Sequence, residues 1–198
     1  MTLHTFKQKK GFTLIETLVA ISILLLSIVG PLEIASKGMF SAFYARDEIS
    51  AYYLAQEGLE FVRNLRDTNY IQDINGTPSL WLDSLDNSCF SDAGCSINPV
   101  NILNGYAFSD FGSVSSCANL PSSLCPTLEY NDTTAIFSVG LTYPQSKFRR
   151  KVKVTLDNAN IATSASALVE TTVSWQTGTL FSSTKSFVLR ERIFNWNQ

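Results

Sequence analysis

The chain has 198 residues with 15 Lys+Arg, 17 Asp+Glu, four Cys and a single His, His4. That length suits one folded domain with a core of its own. A hydrophobic share of 45% with 16% charge excludes a disordered polar chain, and a formal charge of −2 excludes a wholly basic nucleic-acid binder. The charge is unevenly placed: residues 67–132 hold eight acids and no Lys or Arg, whereas residues 133–198 hold eight bases against three acids.

Apart from Thr13, Glu16 and Thr17, residues 12–32 are apolar or small. As a helix they would reach roughly 30 Å, the hydrocarbon thickness of a bilayer. Lys7, Lys9 and Lys10 precede this stretch with no acid before Glu16, so the positive-inside rule keeps the N-terminus cytoplasmic. The expectation is a single pass through the cytoplasmic (inner) membrane with an extracytoplasmic head. A secretory signal fits poorly, because a cut after Ala35 would put Glu33 at the −3 position, where a small residue is needed. A plain anchor leaves Glu16 unexplained, since a carboxylate in hydrocarbon is costly unless it is paired or near the interface.

The run Lys10-Gly11-Phe12-Thr13-Leu14-Ile15-Glu16-Thr17-Leu18 resembles the class III signal of type IV prepilins. The resemblance implies a leader, residues 1–11, removed by prepilin peptidase between Gly11 and Phe12, with N-methylation of the new Phe12 amine. It implies that the Glu16 carboxylate pairs with the N-terminal amine of a neighbouring subunit during assembly. Other pilin or pseudopilin subunits and an assembly platform protein are the implied partners.

Gly30 and Pro31 interrupt the apolar run, and proline's missing N–H predicts a kink or a locally melted turn. The span at 12–33 is followed by an amphipathic stretch, 34–66, in which Ile34, Gly38, Ala42, Ala45, Ile49, Tyr52, Ala55, Leu59, Val62 and Leu65 recur at spacings of three and four. One face of this stretch is expected to carry a head domain.

Residues 67–132 are rich in Ser, Asn, Asp, Gly and Pro and read as a loop-dominated connection with one or two short strands, around Leu80-Trp81-Leu82 and Tyr106-Ala107-Phe108. All four cysteines lie here. Of three pairings, the local one, Cys89–Cys95 with Cys117–Cys125, closes the shortest loops, and disulfides are the expected state outside the cytoplasm. Zinc is disfavoured because neither spacing gives the tight pairs of a tetrahedral site. Asp83, Asp86, Asp92 and Asp110 suggest calcium only weakly, for no twelve-residue loop motif accompanies them. Asn75-Gly76-Thr77 and Asn131-Asp132-Thr133 match glycosylation sequons.

From Thr133 the pattern is one of strands. Ile136 to Tyr143, Lys147 to Leu156, Ala167 to Gln176 and Ser183 to Asn195 predict an antiparallel sheet of about four strands, with turn chemistry at Gln176-Thr177-Gly178-Thr179. Packed on the amphipathic helix, the sheet, 133–198, makes an α+β, pilin-like fold. Val173-Ser174-Trp175, Gly178, Ile193-Phe194-Asn195-Trp196 and the helix segment Ala51 to Glu60 are similar to the V-type minor pilins and the I-type minor pseudopilins of type II secretion.

Loss of the leader would remove His4, and with it every site that needs an imidazole; paired cysteines remove thiol chemistry, and no carboxylate pair stands out for glycoside hydrolysis. The inventory predicts no enzyme, no metal and no cofactor. Lys147, Arg149, Lys151 and Lys153 place four bases on one strand face with Arg150 nearby. This face is a contact candidate for phosphates, or a solvated face whose lysines deter edge pairing. The acidic loops are a further candidate to dock on it. The sequence thus reads as a minor pilin or pseudopilin subunit of a type IV pilus or secretion pseudopilus. The alternative is a membrane-anchored adhesion or DNA-capture module with the same signal.

Overall fold

The computed structural model describes residues 11–98, 114–118, 124–140, 143–177 and 183–196. Two compact units divide the chain, one ending at Arg46 and one running from Asp47. The α-helix among the described residues, α1, spans Leu14–Ile74 and contributes to both.

In the first unit every described residue is exposed. The hydroxyls of this apolar stretch are turned back onto the helix: Thr17 donates to the Leu14 carbonyl at 2.8 Å, Ser22 to Leu18 at 2.8 Å and Ser27 to Leu24 at 2.7 Å. Polar side chains so satisfied are tolerated in hydrocarbon. Pro31 lies inside the helix and the helical backbone continues through it, so there is no locally melted turn at Gly30-Pro31. Lys37 pairs with Glu33 at 2.7 Å, one helical turn away.

The second unit begins with an ion pair between a buried acid and an exposed base. Asp47 on α1 holds Lys147 at 2.5 Å. From there Ala51, Leu54, Ala55, Gly58, Leu59, Val62, Leu65 and Asn69 are buried at three- and four-residue intervals, one face of a 3.6-residue helix. Ile34, Gly38, Ala42, Ala45, Ile49 and Tyr52, expected on the same face, are exposed. Packing on the head therefore starts later than the periodicity suggests. The helix also ends later, at Ile74 and not at Arg66, because Arg66 and Asn69 have specific partners. Arg66 stacks on Trp196 at 4.1 Å, and Asn69 donates to the Asp83 carbonyl at 2.9 Å.

Among the described residues seven strands form one sheet with every pair antiparallel: β1 (Cys95–Ile97), β2 (Val114–Ser116), β3 (Thr127–Asn131), β4 (Ile136–Ser138), β5 (Gln145–Leu156), β6 (Ser166–Thr177) and β7 (Ser183–Phe194). The long β5 pairs with β6 along one edge. Its other edge is shared, β3 meeting its first half and β1 meeting Val152. The fold is α+β, as the sequence predicts, and three of the four expected strands are β5, β6 and β7. The other is shorter, ending at Ser138 before Gly140 turns the chain with a φ of 78°. Leu141 and Thr142 lie outside the described residues, as do Tyr106-Ala107-Phe108 and Gly178. The described part of the 67–132 segment holds three short strands where one or two were expected, and Leu80-Trp81-Leu82 leads into a turn.

Strict alternation fixes which face is which. Phe148, Arg150, Val152 and Val154 of β5 and Ala167, Val169, Thr171, Val173 and Trp175 of β6 are buried beneath the helix. Each fully buried Val or Leu contributes about 1.5–3 kcal/mol, so packing outweighs the roughly 1 kcal/mol helix penalty of Gly58. The glycine has a reason to be there. A Cβ at Gly58 would sit 2.7 Å from the Thr171 Cγ2 atom. The structure contains the disulfides Cys89–Cys95 and Cys117–Cys125, and Cys89 and Cys95 lie wholly within the main core beside Leu65, Leu82 and Ile97. Gly94 makes the approach to Cys95 possible, with a φ of 70° and no room for a Cβ against Lys151 and the Val152 carbonyl.

Candidate functional site

The first candidate site is the start of α1. Residues 11–13 precede the helix, and the Thr13 hydroxyl accepts from the Glu16 amide at 3.3 Å, capping the first turn. Glu16 is the acid of that turn, where the positive end of the helix dipole favours a carboxylate. Among the described residues it has no ion-pair partner. Near its N-terminus α1 contains a segment, none of its surface covered, that is long and apolar enough to cross a membrane. Lys7, Lys9, Lys10 and His4 lie outside the described residues.

The second candidate is the basic strand. Lys147, Arg149, Lys151 and Lys153 are all on the outer parity of β5, as expected, but Arg150 is not beside them. It points into the core, wholly buried, where its guanidinium pairs with Glu57 and donates to the carbonyls of Leu54 at 3.2 Å and Ile97 at 3.1 Å. The sequence carried the signal for this, since Arg150 shares the parity of Phe148 and Val152; grouping by charge concealed it. Two of the outer bases are also neutralised. Lys147 pairs with Asp47, and Lys153 with Asp92 at 2.5 Å. The hydrogen bond from Lys153, and then its charge, hold the Asp92 carboxyl below the usual range. One of the acidic loops therefore docks on the basic strand within the same chain.

The remaining acids have local duties. Asp86 accepts from the Ser88 amide at 2.8 Å at the start of a 3₁₀ turn, Asn87–Phe90, and hydrogen bonds from Ser88 lower its pKa. Asp83 accepts from the Ser84 amide at 3.1 Å, and Asp110 lies outside the described residues. Asn131 of the second sequon accepts from the Thr133 and Thr134 amides in a turn. Among the described residues no group of three or more His, Cys, Asp or Glu is placed to hold a metal ion.

The capped first turn and early carboxylate of α1 fall within a type IV prepilin-like class III signal. Residues 6–30 match the family model of the prokaryotic N-terminal methylation motif. No curated protein and no solved structure matches the chain.

Proposed function

We propose that the chain is a minor pilin or pseudopilin, a structural subunit that enters a type IV pilus or a type II secretion pseudopilus through its N-terminal helix. Prepilin peptidase cleaves between Gly11 and Phe12, the Phe12 amine is methylated, and Glu16 pairs with the amine of a neighbouring subunit. The observation that carries this reading is the methylation motif at residues 6–30, running into a helix whose residues up to Arg46 are uncovered. Such a surface asks for an apolar surrounding. Charge pairing in that surrounding is favourable because two ions neutralised together lose less solvation than either alone. The minor role rests on the similarity of Val173-Ser174-Trp175 and the closing Ile193-Phe194-Asn195-Trp196 to V-type and I-type subunits.

The test is the mass of the chain recovered from sheared fibres and from the membrane of its own host. A form beginning at methylated Phe12, present at a small fraction of the main fibre subunit, supports the reading. A chain that retains residues 1–11 overturns the processing step, and abundance equal to the main subunit overturns the minor role.

A further inference from the structure

On the outer face of the sheet, register sets two cations beside two hydroxyls: Arg149 lies opposite Ser174, and Lys151 opposite Thr172. With Leu124 and Cys125, these four side chains line a concavity of about 170 Å³. Among the described residues its charge is not balanced by acids in contact. Arg149 donates to the Cys125 carbonyl at 2.7 Å and Lys151 to the Asp92 carbonyl at 3.2 Å. A carbonyl accepts a hydrogen bond but brings no net charge, so both groups remain cations with donors left over. The Asp92 carboxylate reaches Lys151 only at longer range, being held by Lys153. The next row along the sheet is balanced, with Glu170 paired to Arg190 at 2.5 Å. Among the described residues, the hydroxyls of Thr172 and Ser174 have no hydrogen-bond partner in the protein.

We propose that this concavity binds a dianionic tetrahedral oxyanion of the phosphate class, either free or as a phosphomonoester on a larger molecule. Arg149 and Lys151 supply the charge, and Thr172 and Ser174 supply neutral donors between them. The charge count selects the class. Two unbalanced cations match the charge of close to −2 on a phosphomonoester at neutral pH, whereas a carboxylate or a nucleic-acid phosphodiester brings −1. A nucleic-acid strand would also need a track of bases, and the flanking Lys147 and Lys153 are taken by Asp47 and Asp92.

The full chain in detergent micelles, titrated calorimetrically with inorganic phosphate at fixed ionic strength, should show one saturable site. Thr172→Val and Ser174→Ala, which leave the charge intact, should each weaken it by about five-fold, and Lys151→Gln by at least about ten-fold. Lys185→Gln, on the opposite parity of β7, should leave it unchanged. Near-UV circular dichroism establishes that each variant is folded. Glycerol phosphate separates the sources: competition at equal strength assigns the site to a monoester substituent, and failure to compete assigns it to the free ion. Non-saturable uptake, or hydroxyl variants that bind as the parent does, would overturn the proposal. So would binding of single-stranded DNA that depends on Lys147 and Lys153 as much as on Lys151.

Discussion

Arg150 in the middle of β5 has no exposed surface, and its partner Glu57 on α1 keeps 35% of its side chain exposed. The two ends of this ion pair are therefore unequal. Removing the carboxylate strands a guanidinium in the core; removing the guanidinium leaves a carboxylate that still reaches water. Breaking a buried pair by deleting one partner costs about 3–5 kcal/mol when the survivor is trapped. Glu57→Ala should approach that loss, and Arg150→Met should lose less, despite touching the more buried residue. Urea unfolding in detergent, with the two variants side by side, checks the order; a larger loss for Arg150→Met would show that the carbonyls of Leu54 and Ile97 matter more than the charge.

Gly58 gives a second test. Alanine is the better helix former by about 1 kcal/mol, yet its methyl would meet Thr171 at 2.7 Å in a fully buried site. Gly58→Ala should be destabilising by about 1–2 kcal/mol, and Gly58→Leu by more. The double variant Gly58→Ala with Thr171→Ser, which removes the obstructing methyl, should recover most of the loss. A single alanine variant more stable than the parent would mean that the helix moves freely over the sheet.

The disulfides should differ in their effect. Cys89–Cys95 packs among Leu65, Leu82 and Ile97 of the main core, whereas Cys117–Cys125, although also buried, joins neither core cluster among the described residues. Replacing the first pair by Ser puts two hydroxyls into that core as well as losing the cross-link. Removal of a native disulfide typically costs about 2–5 kcal/mol, and the Cys89/Cys95 double variant should fall at the upper end. Thermal unfolding of the two double variants compares them directly.

Acid should loosen the head in a defined window. Hydrogen bonds from Ser88 lower the pKa of Asp86, the bond from Lys153 lowers that of Asp92, and the bond from Ser164 lowers that of Asp157. A carboxyl whose folded value is lowered contributes stability above its unfolded value of about 3.9, and loses it as pH falls through the folded value. Stability should be flat from about pH 7 to about pH 5 and decline below about pH 4. Urea midpoints across that range measure it, and Asp86→Asn with Asp157→Asn should flatten the decline.

At the N-terminus two variants separate processing from assembly. Glu16→Ala leaves the Gly11-Phe12 bond untouched, so the leader should still be removed while incorporation into fibres falls. Gly11→Leu should block removal and give a heavier band retained in the membrane. Immunoblots of membrane and fibre fractions read both. Normal incorporation of Glu16→Ala would remove the pairing role.

The long elements were legible because they are long. α1 and the twelve-residue strands β5, β6 and β7 repeat their periods often enough for 3.6 and 2 to be distinguished. β1 and β2, three residues each, are too short for alternation to show and owe their pairing to β5 and the turn at Gly94. The signal at the start of the chain was legible as a dense local motif that owes nothing to tertiary contacts. That the acidic loops could dock on the basic strand was legible from charge, but which acid does so, and that Asp47 of α1 joins Asp92, was not, because both lie far from the strand in sequence and only the fold brings them together. The ion pairs that divide this strand into a neutral part and a charged part belong to the three-dimensional arrangement alone.

The run of uncovered residues ahead of Asp47 bears on how the subunit travels. A helix apolar on all sides has no aqueous resting state, so the molecule cannot leave lipid by dissolving; it must pass directly from one oily environment to another. Lipid tails and the flank of a neighbouring helix solvate Leu and Ile almost equally well. On the proposed function the transfer is then close to isoenergetic, and within the apolar stretch 14–32 the one charge that distinguishes the two environments is Glu16.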